Sequence, residues 1–154
     1  MNNMKYGIVI LLSLAVFSCN RSPKSSEGSE VGEVKKSIVG FVDLTDPLEE
    51  DLVNQGAEIF SQKCSKCHTL DTVKFFVPSF AGVTNRRSPE WIMNMMLNPE
   101  DMLENDPTAK RLLEEHKIKM PEQELTVDQA RGVLEFLRQN DLEQVGTKDE
   151  AAGK

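Results

Sequence analysis

Scarcity is the first information in this sequence. Three cysteines, an odd number, do not make a disulfide framework. Basic residues are the minority sign: 18 Lys and Arg against 25 Asp and Glu leave a net charge of -7, which argues against a nucleic-acid partner. No apolar run reaches the ~20 residues that span a bilayer. No segment alternates apolar and polar residues over any length, so strands are not expected and the class is all-α. Apolar residues make up 39% of the chain, slightly low for a globular protein. Either part of the chain is unstructured, or something other than side chains completes the core.

The first eighteen residues account for some of this. Lys5 gives a short positive start, and Gly7–Phe17 is a weakly polar to apolar run with the length of a signal-peptide core. Val16-Phe17-Ser18-Cys19 follows, a small residue just before a cysteine. It resembles the lipobox of bacterial lipoproteins, which implies removal of residues 1–18 and acylation of Cys19. Residues 19–45 read as a flexible tether, rich in Ser, Glu, Gly and Pro at its start, with a root-mean-square span of roughly 28 Å as a coil. Within it Ser37–Val42 is more apolar and is expected to pack on the domain as an extended segment.

The domain is expected over residues 46–140, with four to five helices and a polar, fraying tail over 141–154. Asp46-Pro47-Leu48-Glu49 has the pattern of an N-cap, an N1 proline and a capping-box glutamate. The helix after it places Val53, Gly56 and Phe60 on one stripe. Ser88-Pro89 opens a second helix, closed by Asn98-Pro99, with Ile92, Met95 and Met96 on one face. Asp106-Pro107 opens a third, with Ala109, Leu112, Leu113 and His116 on one side. Thr126 and Gln129 form a capping box for a final helix that turns Ala130, Val133, Leu134 and Leu137 inward.

Cys64-Ser65-Lys66-Cys67-His68 carries the chemistry. CxxCH is a haem-attachment motif: two thiols three positions apart on a helical turn can each add to a haem vinyl group, and His68 then lies beneath the iron. Zinc needs four ligands, and His116 is the only other histidine. A thioredoxin-like CxxC needs a βαβ pattern that is missing. One covalent haem c is the reading. Cys19, Cys64 and Cys67 then exhaust the cysteines.

The surroundings of this motif resemble those of the class I, mono-haem c-type cytochromes, over residues 46–140. Gly56 and Phe60 stand eight and four residues before Cys64, as the family's small and aromatic residues do, and imply close crossing with the C-terminal helix. Val77-Pro78-Ser79-Phe80-Ala81-Gly82 is similar to the family's Gly-Pro-x-Leu-x-Gly segment, with Val77 in place of the usual glycine. It implies that the Pro78 carbonyl accepts a hydrogen bond from His68 Nδ1. Lys119-Met120-Pro121 resembles the family's axial segment and implies Met120 as sixth iron ligand. Met93, Met95, Met96 and Met102 lie in or near a helical run, where core packing is the default. His116 is the rival ligand. Trp91 either donates its indole N–H to a haem propionate or belongs to the core. Arg86 and Arg87 are candidates for a propionate contact, and Phe75, Phe76 and Phe80 for the haem crevice.

A haem with both axial positions filled by protein has no place for a substrate, which makes an electron carrier the first reading and an enzyme the second. The second would be a haem enzyme or a gas or peroxide sensor, with a labile sixth ligand. The resemblance implies a quinol-oxidising complex upstream and a terminal oxidase or reductase downstream. A monomer is expected, lipid-anchored to a membrane of the bacterial cell envelope and facing the periplasm. Lys63, Lys66, Lys74, Lys117 and Lys119 flank the haem-binding segments and predict a basic rim on an otherwise acidic protein.

Overall fold

A computed structural model describes residues 39–44, 46–73 and 76–143, all within one compact unit. The expected signal peptide, Cys19, most of the tether, Lys74, Phe75 and residues 144–154 lie outside the described residues. Among those described there are six helices and no strand. They are α1 (Glu50–Lys63), α2 (Val83–Arg86), α3 (Pro89–Leu97), α4 (Pro99–Asn105), α5 (Pro107–His116) and α6 (Val127–Glu143).

The crossing of α1 with α6 organises the rest. Val53, Gly56 and Phe60 are the buried residues of α1, and α6 buries Ala130, Val133, Leu134 and Leu137. Two glycines meet there. A Cβ added to Gly56 would collide with the backbone of Gly132 and stand 2.9 Å from Phe136 Cβ. The helices approach closely because neither presents a side chain at the crossing. Gly56 was legible as such a position, but its counterpart Gly132 was not.

Local starts and stops follow elementary capping chemistry, with three departures. Ser88 Oγ accepts from the Trp91 amide at the start of α3. Asp106 Oδ1 accepts from Thr108 and Ala109 at the start of α5. Thr126 and Gln129 form a reciprocal box before α6. The expected cap at Asp46 is not used, however. α1 starts at Glu50, and Glu49 holds the N-cap position without a side-chain capping bond. Glu50 and Asp51 in the first turn supply negative charge at the positive end of the helix dipole instead. A second departure is α4. Asn98 ends α3 and also precedes Pro99 at the first position of a new helix, because the proline that stops one helix is pre-set to begin another. The third is the C-terminus: α6 continues to Glu143, and Asp141, expected to open a polar tail, is 0% exposed.

Part of the expected tether is laid on the domain. Val39 N–H donates to Asn94 Oδ1 at 2.8 Å, and Asn94 Nδ2 donates back to Val39 O at 2.9 Å. Val42 N–H donates to Glu90 at 3.0 Å. Arg131 reaches Asp43 O at 2.6 Å while bonding Glu135 at 2.8 Å. Val39, Val42 and Leu44 pack against the core, and Phe41 between them is exposed. Glu135 is itself fully buried between Arg131 and Arg138, whose Nη1 lies 2.6 Å from it. Two guanidinium partners are what make such a charge tolerable away from water.

Candidate haem site

The end of α1 sets the site up. Cys64 ends that helix, and the turn after it, closed by Cys67 and His68 amides on Cys64 O, presents all three side chains to one cavity. Its volume is about 510 Å³, inside the roughly 300–1,000 Å³ typical of small-molecule and cofactor sites. Pro78 and Phe80 contribute from the segment before α2, Trp91, Ile92, Met95 and Met96 from α3, and Met120 from the loop before α6. Of the sequence-predicted residues, Cys64, Cys67, His68, Pro78, Phe80, Arg86, Trp91 and Met120 converge there, whereas Phe76 and Lys117 do not.

His68 is held on two sides. Its Nδ1 lies 2.8 Å from Pro78 O, so it must donate that proton, and Nε2 keeps the lone pair of a neutral ring. Phe80 stacks on the imidazole with centroids 4.2 Å apart and planes 8° from parallel. Burial pushes the His68 proton affinity below the ordinary histidine value; the Pro78 bond opposes this and His116 adds to it. Burial likewise pushes the Cys64 thiol up, against the attraction of Lys63. Phe80 also meets Phe60 at 6.1 Å, and Phe60 meets Phe136 at 5.4 Å, so an aromatic chain joins the helix crossing to the histidine.

Several of the expected site residues have contacts that the sequence did not indicate, and Phe76 lies outside the cavity. Trp91 lines the cavity, but its indole N–H is given to Asp106 Oδ1 at 3.0 Å and not left for a propionate. Arg87 stands over the same indole, 5.2 Å from its centroid. Arg86 lines the cavity with a guanidinium that bonds Ala81 O and Ser79 O. Phe76 is 71% exposed and is no part of the crevice; Val77 takes the wall position instead. His116 also lines the cavity, and its Nδ1 stands 3.2 Å from Phe76 O. Asp106 was missed as a site-organising residue. Its only signal, an N-cap aspartate before proline, says nothing about an indole fifteen residues upstream. Its burial would raise its proton affinity, but the Trp91, Ala109 and Thr108 bonds and Arg87 win and hold it below the ordinary carboxylate value.

Comparison with known proteins fits this geometry. The family model for cytochrome c matches residues 53–141, more than half of the chain. The chain belongs to the cytochrome c family. A solved cytochrome c from Rhodothermus marinus is 39% identical, with a TM-score of 0.68, covering 70% of this chain and 92% of that one. An engineered form of the Rhodothermus marinus protein, bound to a carbene intermediate, is 38% identical over the same shares, with a TM-score of 0.64. The cytochrome c domain of a Pseudomonas putida protein is 29% identical, with a TM-score of 0.52, covering 57% of this chain and 89% of that one. None of the curated proteins compared matches the chain by sequence.

As a class I, mono-haem cytochrome c, the chain carries one covalent haem c. The residues present fit that group. The cavity is walled mainly by apolar side chains, and it gathers two thiols, two imidazoles, of which that of His68 has a fixed tautomer, and the thioethers of Met95, Met96 and Met120. That is a soft nitrogen-and-sulfur donor set suited to covalent haem and its iron.

Proposed function

We propose that this cytochrome c is a single-electron carrier in which Cys64 and Cys67 hold the haem by thioethers while His68 and Met120 ligate its iron. The observation that carries this reading is the His68 Nδ1–Pro78 O bond at 2.8 Å, which reserves Nε2 for a metal, in a cavity that Met120 also lines. Bound haem supplies a one-electron Fe(III)/Fe(II) couple. The protein's part is to hold both ligands so that neither oxidation state requires movement, and to keep water out with Phe80, Ile92 and Met96. A thioether ligand is neutral and soft, favours the ferrous state and raises the potential. With His68 and Met120 both holding the iron, no substrate would reach the metal, and electrons would pass at the cavity edge.

The rest of the reading concerns place and partners. A lipid on Cys19 would anchor the head to a membrane of the bacterial cell envelope, with the haem domain in the periplasm. No helix among the described residues is long and apolar enough to cross a membrane. Donor and acceptor would be a quinol-oxidising complex and a terminal oxidase or reductase, met by a monomer. Lys63, Lys66 and Lys119 line the cavity and would form the basic rim for docking. Two of them have local duties: Lys63 donates to Gln123 O at 2.9 Å, and Lys119 pairs with Glu100 at 3.0 Å. Lys66 is thus the cleaner docking charge.

A second reading, a haem enzyme or a gas or peroxide sensor, is favoured by one observation, the engineered Rhodothermus marinus relative bound to a carbene intermediate. It requires Met120 to leave the iron. Carbon monoxide added to the reduced protein separates the two. The carrier reading expects slow, weak binding together with a reversible one-electron potentiometric titration. Rapid, tight binding would overturn it in favour of the second reading.

A further inference from the structure

We infer that Asp141 is a positioning residue for the axial histidine, acting from the last turn of α6 through the loop that carries the Pro78 carbonyl. This rests on the proposal that His68 ligates the iron. Asp141 is completely buried, and its carboxylate takes three hydrogen bonds from one short stretch. Oδ1 accepts from the Gly82 amide at 2.7 Å, and Oδ2 accepts from the Thr84 amide at 2.9 Å and the Thr84 hydroxyl at 2.7 Å. Gly82 makes this convergence possible: its φ of 69° is left-handed, a conformation that glycine adopts freely. An ionised carboxylate kept from water is costly unless it is bonded this fully.

The stretch that Asp141 holds continues directly into the contacts around His68. Pro78, whose carbonyl receives the His68 proton, is four residues before Gly82. Phe80, stacked on the imidazole, is two residues before it, and its amide donates to Thr69 O at 2.9 Å. Arg86 closes the span with its bonds to Ser79 O and Ala81 O. Between Pro78 and Gly82 there is little slack, so a shift at Gly82 is passed to both groups that touch the ring. Asp141 also draws on the Arg86 guanidinium electrostatically, opposing the effect of burial there. The C-terminal helix therefore does two things. It crosses α1 at Gly56, and further along it holds the loop whose Pro78 carbonyl accepts from His68 Nδ1.

The consequence has a definite sign. A firm Nδ1–H···O bond makes the imidazole more basic and so favours the ferric state. Loosening the loop weakens that bond and raises the reduction potential. Removing the negative charge at Asp141 pushes the same way, so two variants are needed. Asp141→Asn removes the charge and sets an amide N–H against the loop's donors. Thr84→Val removes one of the three bonds and leaves the carboxylate charged.

The test uses the full haem-loaded protein and reads two quantities, the midpoint potential and the solvent exchange of the His68 Nδ1 proton by NMR in the reduced state. Exchange is expected to accelerate by about tenfold or more in Asp141→Asn, as losing hydrogen bonds to a charged acceptor implies, and by less in Thr84→Val, with the potential moving positive in both. If both variants lose only thermal stability, with exchange and potential unchanged, Asp141 is a structural anchor and the inference is overturned. If Asp141→Asn does not fold, Thr84→Val alone decides. Wild-type His68 signals without the shifts of an iron-bound imidazole would overturn the ligand assignment itself, an outcome distinct from unmoved variants.

Discussion

Two single residues show how narrow some tolerances are. At Gly56 the missing Cβ is occupied by the backbone of Gly132, which cannot rotate away as a side chain would. Gly56→Ala should therefore destabilise the fold by about 3 kcal/mol, the upper end for overpacking. Gly132→Ala should cost less, since a Cβ there would stand 3.2 Å from its nearest neighbour, Leu52 O. Denaturant unfolding of both variants checks the order. Asp106 offers a pH test. Its folded-state affinity for protons lies below the ordinary value of 3.8, so the unfolded chain binds the proton more readily. Its stabilisation is present above that ordinary value and is lost as pH falls through the lower folded value. Asp106→Asn keeps an acceptor for the Trp91 indole and removes the charge. Its stability deficit against wild type should be present at pH 7 and shrink below about pH 4; a deficit independent of pH would contradict the charge argument.

At the scale of elements, sequence legibility divides along a physical line. Capping pairs such as Ser88-Pro89, Asp106-Pro107 and Thr126 with Gln129 are local, and each opens a helix where read. Gly56 and Phe60 were legible through their spacing from Cys64. Pro78 was legible as the His68 acceptor only through resemblance, because a carbonyl ten residues away leaves no periodic trace. Long-range polar pairings were not legible at all: Trp91 with Asp106, Asp141 with Gly82 and Thr84, and Arg131 with Asp43. Nothing in the composition of an acidic C-terminal stretch separates a buried aspartate from a solvated one. The extended segment 39–44 sits between these cases. Its apolar content suggested packing, but its clamp on Asn94 was hidden. Asn94→Ala removes both bonds to Val39, which should cost about 1–2 kcal/mol. The Val39 and Val42 amides should also exchange faster with solvent. Unchanged protection there would mean that apolar packing alone holds the segment.

For the whole molecule, the covalent haem explains the modest apolar content: the protein supplies a wall of side chains around a core that is partly cofactor. The acidic excess of the chain and the lysines at the cavity give it opposite local and overall character. Lys66→Glu should slow electron transfer to an acidic partner surface at low salt, and the difference should fade as salt shortens the Debye length from about 10 Å at 0.1 M. A rate insensitive to the reversal would remove the basic rim from the account. The central claim is the pair of ligands on either side of the iron, and the optical spectrum of the oxidised protein tests it most directly. A His/Met site gives a long-wavelength charge-transfer band from Met–Fe(III). That band should be present in the wild type, absent in Met120→Ala and retained in His116→Ala. Its absence from the wild type, or its survival in Met120→Ala, would contradict the assignment of Met120.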